Sequence, residues 1–428
     1  MIRLKGAHFL TAFLMGVLFP VFLGAAELPT YQKYEGPIKP GVVITKENWD
    51  QYLPELQKLL QASQLHWCQL GVKEGLVTMP VLKTTYPGFG DRHLEASRKN
   101  AGKAHIGPDN QLYDFVAGVP FPEPKSAAEI IWNAYPMLPE FTSPEDFHMY
   151  HAYFGLFSGT KYEKNFTWTH FLRKYRGRTQ MPPLGDLPEF TDRGIVSRES
   201  LFIKEPNEVK GFIQLRIRYW DINKDDDTYA YIPAIRRIRR LTGNDLTDPL
   251  LGSDATPDDF EIWRQKLNSI MKFRVLEHRD FLVPRTVIAS KPEKYDPKKH
   301  GPCFQSEWEI RPTWVVEVSI NNPDYLYSKR VLFIDAVPLY QGGKYSLNVG
   351  ENYDQNGRLF KSITMNTGRG ITGLGGPHTA VFINLLSGHL TSMDLFIAQT
   401  QWDESQMRQI FPLNEEVFTI KGLMRRAR

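Results

Sequence analysis

From Phe212 to Trp220 the chain alternates: Ile213, Leu215, Ile217 and Tyr219 are separated by Gln214, Arg216 and Arg218. A period of two belongs to extended backbone, whose successive side chains point to opposite faces. Trp314, Val316, Val318 and Ile320 repeat the pattern around Glu317 and Ser319. Strands with one apolar and one charged face have to cover the first and wet the second, which makes antiparallel sheet the default architecture. The apolar set is expected to face inward and the arginines to face water. Further strands are expected over Lys329 to Val337, Tyr345 to Glu351, Arg358 to Thr364 and Ala380 to Leu386. Asp354-Gln355-Asn356-Gly357 lies between two of these runs, and its Asn-Gly tolerates the positive φ of a tight hairpin.

With 42% of its 428 residues apolar and 23% charged, the chain has material for one large or two ordinary cores. That excludes a disordered or collagen-like chain. The 26 Phe, 19 Tyr and 9 Trp favour aromatic-walled sheets over helix bundles. A net charge of +4 offers no overall field for nucleic acid.

At the N-terminus Arg3 and Lys5 precede an apolar run from Phe9 to Leu23, and Gly24-Ala25-Ala26 supplies small residues before Glu27. This reads as a secretory signal over residues 1–26. The alternative is an uncleaved anchor, because Ala7 to Ala26 is long enough to cross a bilayer. Pro20 and the small-residue exit favour cleavage, and with it a soluble protein outside the cytoplasm. That compartment permits a disulfide between Cys68 and Cys303, although nothing in the sequence requires one.

Residues 27–195 read as a loop-rich, partly helical region. Thr45 can cap a helix in which Trp49, Leu53, Leu56 and Leu60 recur at helical spacing, and a second helix is expected over Ala127 to Tyr135. Pro182, Pro183 and Pro188 punctuate the approach to residues 196–428, where the two-residue period takes over.

Motifs that resemble chemistry dissolve in context. Gly368 to Gly373 has dinucleotide-binding spacing, but Gly375-Gly376-Pro377 follows where a helix must open, so a mobile glycine loop is expected. Asp221, Asn223 and Asp225 begin like a calcium loop, yet Asp226 stands where glycine is needed and Ile232 where a bidentate Glu is needed. Asn223 to Asp227 is therefore read as an acidic hairpin turn. His148 and His151 lack a third metal ligand, and no Gly-x-Ser-x-Gly elbow occurs. No catalytic residue, metal or cofactor is expected. Arg236, Arg237, Arg239 and Arg240 surround Ile238 on one further strand, where guanidinium groups suit carboxylate or phosphate. A solvated edge paired to the acidic turn and a docking face for a partner or an anionic head group both stay open.

Tyr231-Ile232-Pro233-Ala234-Ile235 through Arg240, then Asp245 to Asp259 and Phe273 to Pro284, resemble a family of uncharacterised periplasmic proteins related to the outer-membrane lipoprotein-sorting (LolA/LolB-like) carriers. Lys99-Asn100-Ala101, Gly118 to Pro122 with Ile131-Trp132-Asn133, Trp314 to Glu317, Tyr327 with Arg330, Ile334-Asp335 and Tyr353 to Leu359 extend the likeness over most of the chain. One stretch departs from it: Trp132-Asn133 lacks the following His, and Trp168-Thr169-His170-Phe171-Leu172-Arg173 resembles the remainder, as though Ala134 to Thr167 were inserted. The resemblance implies a mainly β fold, an incomplete and strongly curved antiparallel barrel over residues 196–428 with plug helices and an apolar cavity. It also implies traffic of a lipid or another hydrophobe, in association with a resistance-nodulation-division transporter or an outer-membrane partner.

On that reading Ile213, Leu215, Ile217, Tyr219, Trp314, Val316, Val318 and Ile320 line either the cavity or a dry core. The loop with Gly368, Gly370 and Gly373 is the candidate lid. A non-carrier adaptor of an envelope complex, docking through the arginine strand, is the alternative.

Overall fold

The computed structural model describes residues 28–86, 88–136, 138, 148–179, 182–241, 247–260, 262–286, 307–367, 377–397 and 415–426. The expected export signal and the glycine loop with Gly368, Gly370 and Gly373 lie outside the described residues, as does Cys303. Cys68 is buried in the second helix.

Two short pairs come first: β1 (Val43–Ile44) with β2 (Met79–Pro80), and β3 (His105–Ile106) with β4 (Leu112–Tyr113). All later strands form one antiparallel sheet. They are β5 (His148–Ser158), β6 (Lys161–Lys174), β7 (Ile195–Glu205), β8 (Ile213–Tyr219), β9 (Asp227–Ile232), β10 (Arg237–Leu241), β11 (Met271–Thr286) and β12 (Glu307–Ile320). There follow β13 (Lys329–Asp335), β14 (Leu347–Tyr353), β15 (Leu359–Thr367), β16 (Pro377–Asn384) and β17 (His389–Ile397). Helices are α1 (Trp49–Leu59), α2 (Ala62–Lys73), α3 (Asp91–Asn100), α4 (Ala127–Ala134), α5 (Pro188–Thr191) and α6 (Ile420–Arg426). At α4 the Ser126 hydroxyl accepts the Glu129 N–H while the Glu129 carboxylate accepts the Lys125 N–H, a reciprocal cap that fixes its start.

The strand order is β10-β9-β8-β7-β6-β5-β17-β16-β15-β14-β13-β12-β11. Two antiparallel runs, β5 to β10 and β11 to β17, are joined where β5 pairs with β17, with Ala152 opposite Leu395. The edge strands are therefore β10 and β11, which are consecutive in the chain, with Gln32 bridging to Arg279 on the outer side of β11, and the described sheet does not close on itself. Its curvature is read from one apolar cluster that holds Phe154, Trp168 and Val196 from one run together with Val316, Leu332, Ile363 and Phe382 from the other. Residues on distant strands meet only if the sheet curls around them.

The sheet begins earlier than the two-residue period places it. β5 and β6 precede residue 195, and over Phe154 to Phe157 and from Phe166 onward both of their faces are covered, which hides any apolar-polar alternation. Phe166 and Trp168 face the central cluster, whereas Phe171 packs with Val417 and Phe418 on the outside. The segment that looks inserted, Ala134 to Thr167, contributes β5, the joint between the two runs. Elsewhere the hairpins are where the sequence puts them: Gly357 has φ +74° between β14 and β15, and Asp221 to Asp226 turns β8 into β9.

The connection from edge strand β10 to edge strand β11 has to cross a face of the sheet, and it crosses the concave one. Residues 250–267 of this crossover place Ile262, Trp263 and Leu267 in the central cluster beside Ile131, Trp132 and Tyr135 from α4. Phe260 stacks on Phe154 with ring centroids 6.0 Å apart. Each of these apolar side chains gains about 1.5–3 kcal/mol on burial. A Cβ at Gly350 of β14 would stand 2.5 Å from Ile262 Cγ2, so glycine is what admits the crossover there. Gly350→Ala is expected to lower stability by about 1–3 kcal/mol through overpacking. Urea unfolding measures this, and an unchanged midpoint would mean that Ile262 does not rest on β14.

Candidate functional site

The crossover is held by charge at three places. The first lies on β13 to β15. Arg330 is fully buried, its Nη2 2.7 Å from Asp258 Oδ2 and its Nη1 3.7 Å from Asp259 Oδ1. Nη1 also donates to Asn352 Oδ1 at 2.9 Å and to the Ile262 carbonyl at 3.2 Å. Lys361 Nζ is 2.7 Å from Asp259 Oδ2 and, like Arg330, almost without exposure. The Tyr327 hydroxyl donates to Asp259, and the Tyr325 hydroxyl donates to Asp258. Burial alone would raise the Asp259 carboxyl, but Lys361 and Arg330 outweigh it and hold the group below its usual range. Burial drives both tyrosine hydroxyls far above theirs, so they act as donors.

The second anchor is on β7 and β8, with the charges reversed. Arg264 Nη1 of the crossover is 2.6 Å from Glu199 Oε2, and Lys266 Nζ is 3.0 Å from Asp226 Oδ1. Arg216 reaches Glu199 at 3.4 Å, and Arg218 donates to the Arg264 carbonyl at 2.6 Å and to the Tyr135 hydroxyl at 3.1 Å. Burial works to raise Glu199, yet Arg264, His170 and Arg216 keep it well below the ordinary carboxylate range. At the third anchor His389 bridges Asp254 of the crossover through Nδ1 and Glu163 of β6 through Nε2, the latter at 2.9 Å.

Between the anchors the backbone bonds locally. The Leu250 N–H donates to the Ala255 carbonyl, Asp259 to Thr256, Ile262 to Asp259 and Arg264 to Asp258. No strand ladder ties this stretch to the sheet among the described residues. Ile262 itself has φ +73°, a conformation that a β-branched residue adopts only under strain.

A family described as a protein of unknown function, DUF1329, matches residues 43–423. The chain belongs to this family. No curated protein matches it. Among solved structures, this DUF1329 chain is similar to a DUF1329 family protein from Desulfovibrio piger, at 15% identity over 66% of this chain and 93% of that one, TM-score 0.45. It is also similar to a putative outer membrane lipoprotein-sorting protein domain from Vibrio parahaemolyticus, at 16% identity, 67% and 97% coverage and TM-score 0.42. A LolA superfamily protein from Nitrosomonas europaea follows at 14% identity, 66% and 96% coverage and TM-score 0.39.

In this DUF1329 protein the eight alternating residues do not share one wall. Val316, Val318 and Ile320 are in the concave cluster with Trp314 at its margin. Ile213 and Leu215 lie on the outer face under Val417 and Phe418, and Ile217 and Tyr219 pack with Tyr175 and Phe190. The expectation that the β8 arginines face water is corrected: Arg216 and Arg218 are 3% and 4% exposed on the concave side. Glu199 and Asp226 neutralise them, and the C-terminal segment covers the apolar face instead. Asp226, read as part of a plain acidic turn, thus takes three cations, the buried Arg216 and Arg218 and the partly buried Lys266.

Arg236 has φ +49°, and Arg237, Arg239 and Arg240 run along the exposed edge strand β10. Arg240 pairs with Asp227 at 2.5 Å. The side chains of His148 and His151 lie outside the described residues, and no cluster of three metal-ligating side chains occurs among the described ones. Nor is any described helix long and apolar enough to cross a membrane. Asp258, Asp259 and Lys361 were not singled out by sequence. The available signal was an acidic pair directly before Phe260 and Trp263, and a lysine inside a strand whose neighbours on the same face are apolar.

Partial burial pulls the His389 imidazole down, but Glu163 and Asp254 on its two nitrogens raise it above its ordinary 6.5 overall. A raised folded-state pKa stabilises the fold fully below the unfolded value and loses that contribution as pH climbs through the folded value. Wild-type protein is therefore expected to lose unfolding free energy as pH rises from 6.5 through the folded pKa, and His389→Gln to lose that slope. Denaturant titrations of both proteins at several pH values test this; parallel pH profiles would refute it.

Proposed function

We propose that this protein is a non-enzymatic periplasmic carrier or chaperone for a lipid or another hydrophobic molecule, held against the concave face of the sheet. One observation carries the reading: beside α4, the concave face is filled by the crossover, which side chains hold in place and which shares no ladder hydrogen bond with the sheet among the described residues. Moving it out would cost side-chain bonds such as those of Thr391 and Arg330 to its backbone, but no ladder hydrogen bond between described strands. It would open the apolar cluster to which Val316, Val318 and Ile320 belong, with Trp314 packed against it. The Gly368 to Gly376 loop, with Gly370 and Gly373, is a further proposed lid element.

The energetics suit a carrier. At about 0.8 kcal/mol per methylene, a chain of roughly sixteen carbons gains on the order of 12 kcal/mol by leaving water. Such a gain becomes a trap unless an apolar acceptor takes the cargo, so a membrane or a transporter partner of the resistance-nodulation-division class belongs to the proposal. Native mass spectrometry and solvent extraction of gently purified protein should find bound lipid. Protein that is empty and also fails to bind long-chain fluorescent lipids would sink the reading.

The open edge favours a second role, as an adaptor. β10 pairs on one side only, and Arg237 and Arg239 are exposed beside Ile238, which is 44% exposed. Arg237→Glu with Arg239→Glu is expected to abolish capture of an envelope partner while leaving lipid occupancy intact. Unchanged capture would remove the adaptor role.

A further inference from the structure

The two large anchors differ once the crossover is taken away. At the β7 and β8 anchor, Arg216 and Arg218 remain with Glu199 and Asp226, so that wall stays balanced. At the other anchor, Arg330 and Lys361 lose Asp258 and Asp259 together, and these are their ion-pair partners among the described residues. A cation that is buried and unpaired costs several kcal/mol. Whatever displaces the crossover must therefore bring negative charge to this end of the concave face and apolar surface to the rest.

We infer that the concave face takes an anionic amphiphile, with a carboxylate or phosphate head group on Arg330 and Lys361 and its chain along the surface that Phe260, Ile262 and Trp263 now cover. The inference rests on the carrier reading and adds the chemical class of the cargo. Asp258 and Asp259 with Phe260, Ile262 and Trp263 are an internal copy of such a ligand, two carboxylates beside three apolar side chains. The copy fits imperfectly. Arg330 Nε and Asn352 Nδ2 are buried without an acceptor, and Asp258 Oδ1 is buried without a donor. A free head group can turn its oxygens to those donors, which two carboxylates fixed to adjacent backbone positions cannot do. The Tyr325 and Tyr327 hydroxyls stand ready as further donors.

The test uses the full chain and three dansyl-labelled probes that share one alkyl chain and end in a carboxylate, a phosphate monoester or a primary alcohol. The acids should bind about tenfold or more tightly than the alcohol, and their order distinguishes a fatty-acid-like from a phospholipid-like cargo. Lys361→Met with Asp259→Asn removes one buried charge of each sign and should shrink that preference several-fold. Asp258→Asn with Asp259→Asn removes the internal competitor and should tighten the acids more than the alcohol. Circular dichroism checks the fold of each variant, and the wild-type ratio decides the matter if either fails to fold. Equal binding of acids and alcohol, or a preference unmoved by Lys361→Met with Asp259→Asn, would overturn the head-group assignment while leaving the carrier reading intact. Binding of none of the three would remove both.

Discussion

A guanidinium and an ammonium cut off from water decide what can occupy the concave face. Arg330 and Lys361 project from β13 and β15 into the main apolar cluster, where neither tolerates being alone. The chain answers with Asp258 and Asp259, which arrive on the crossover between the two edges of the sheet. Because those carboxylates must come inside, the residues after them come inside too, and Phe260, Ile262 and Trp263 complete the apolar cluster. The interior is thus organised by a charge requirement and filled by hydrophobic burial.

Topology explains why this segment is the one available. A curled sheet whose edge strands are consecutive in the chain needs a connection from rim to rim, and the shortest course lies across the hollow. Every other connection between neighbouring strands of the sheet, apart from that joining β5 to β17 by pairing, is a local antiparallel return. Among the described residues the crossover, like α4, lies inside the sheet without ladder hydrogen bonds to it, so its removal costs little backbone structure.

The strands with one covered and one charged face were legible because alternation is a local property. Ile213 to Tyr219 and Trp314 to Ile320 both fall in strands where the period puts them. Which face turns inward was not legible. For β8 it depends on Glu199 and Asp226, which neutralise Arg216 and Arg218, and on Val417 and Phe418, which cover the far side. β5 and β6 escaped the period because both faces are buried over Phe154 to Phe157 and from Phe166 onward. The first anchor was hidden for another reason: Asp258 and Arg330 are 72 positions apart, and Asp259 and Lys361 are 102 apart, so only the folded sheet brings opposite signs together. The family likeness nevertheless touched it, since Tyr327 with Arg330 and the stretch ending at Asp259 were among the matching residues and converge on this cluster.

Ionic anchoring also bears on exchange. Buried ion pairs roughly break even on stability, because the attraction is offset by the water each ion gives up. They fix where the crossover sits more than how tightly it is held, while the apolar side chains supply the holding energy. An incoming molecule of matching charge inherits the same balance and contends only with the apolar part. It competes against a segment tethered at both ends, whose effective concentration is high. The strained backbone at Ile262 lowers that advantage by a cost of about 1–3 kcal/mol that a flexible chain does not bear. On the proposed carrier reading, a segment that neutralises the site, fills it and is slightly misfitted would cover the apolar wall when no cargo is bound and yield to a better-shaped amphiphile.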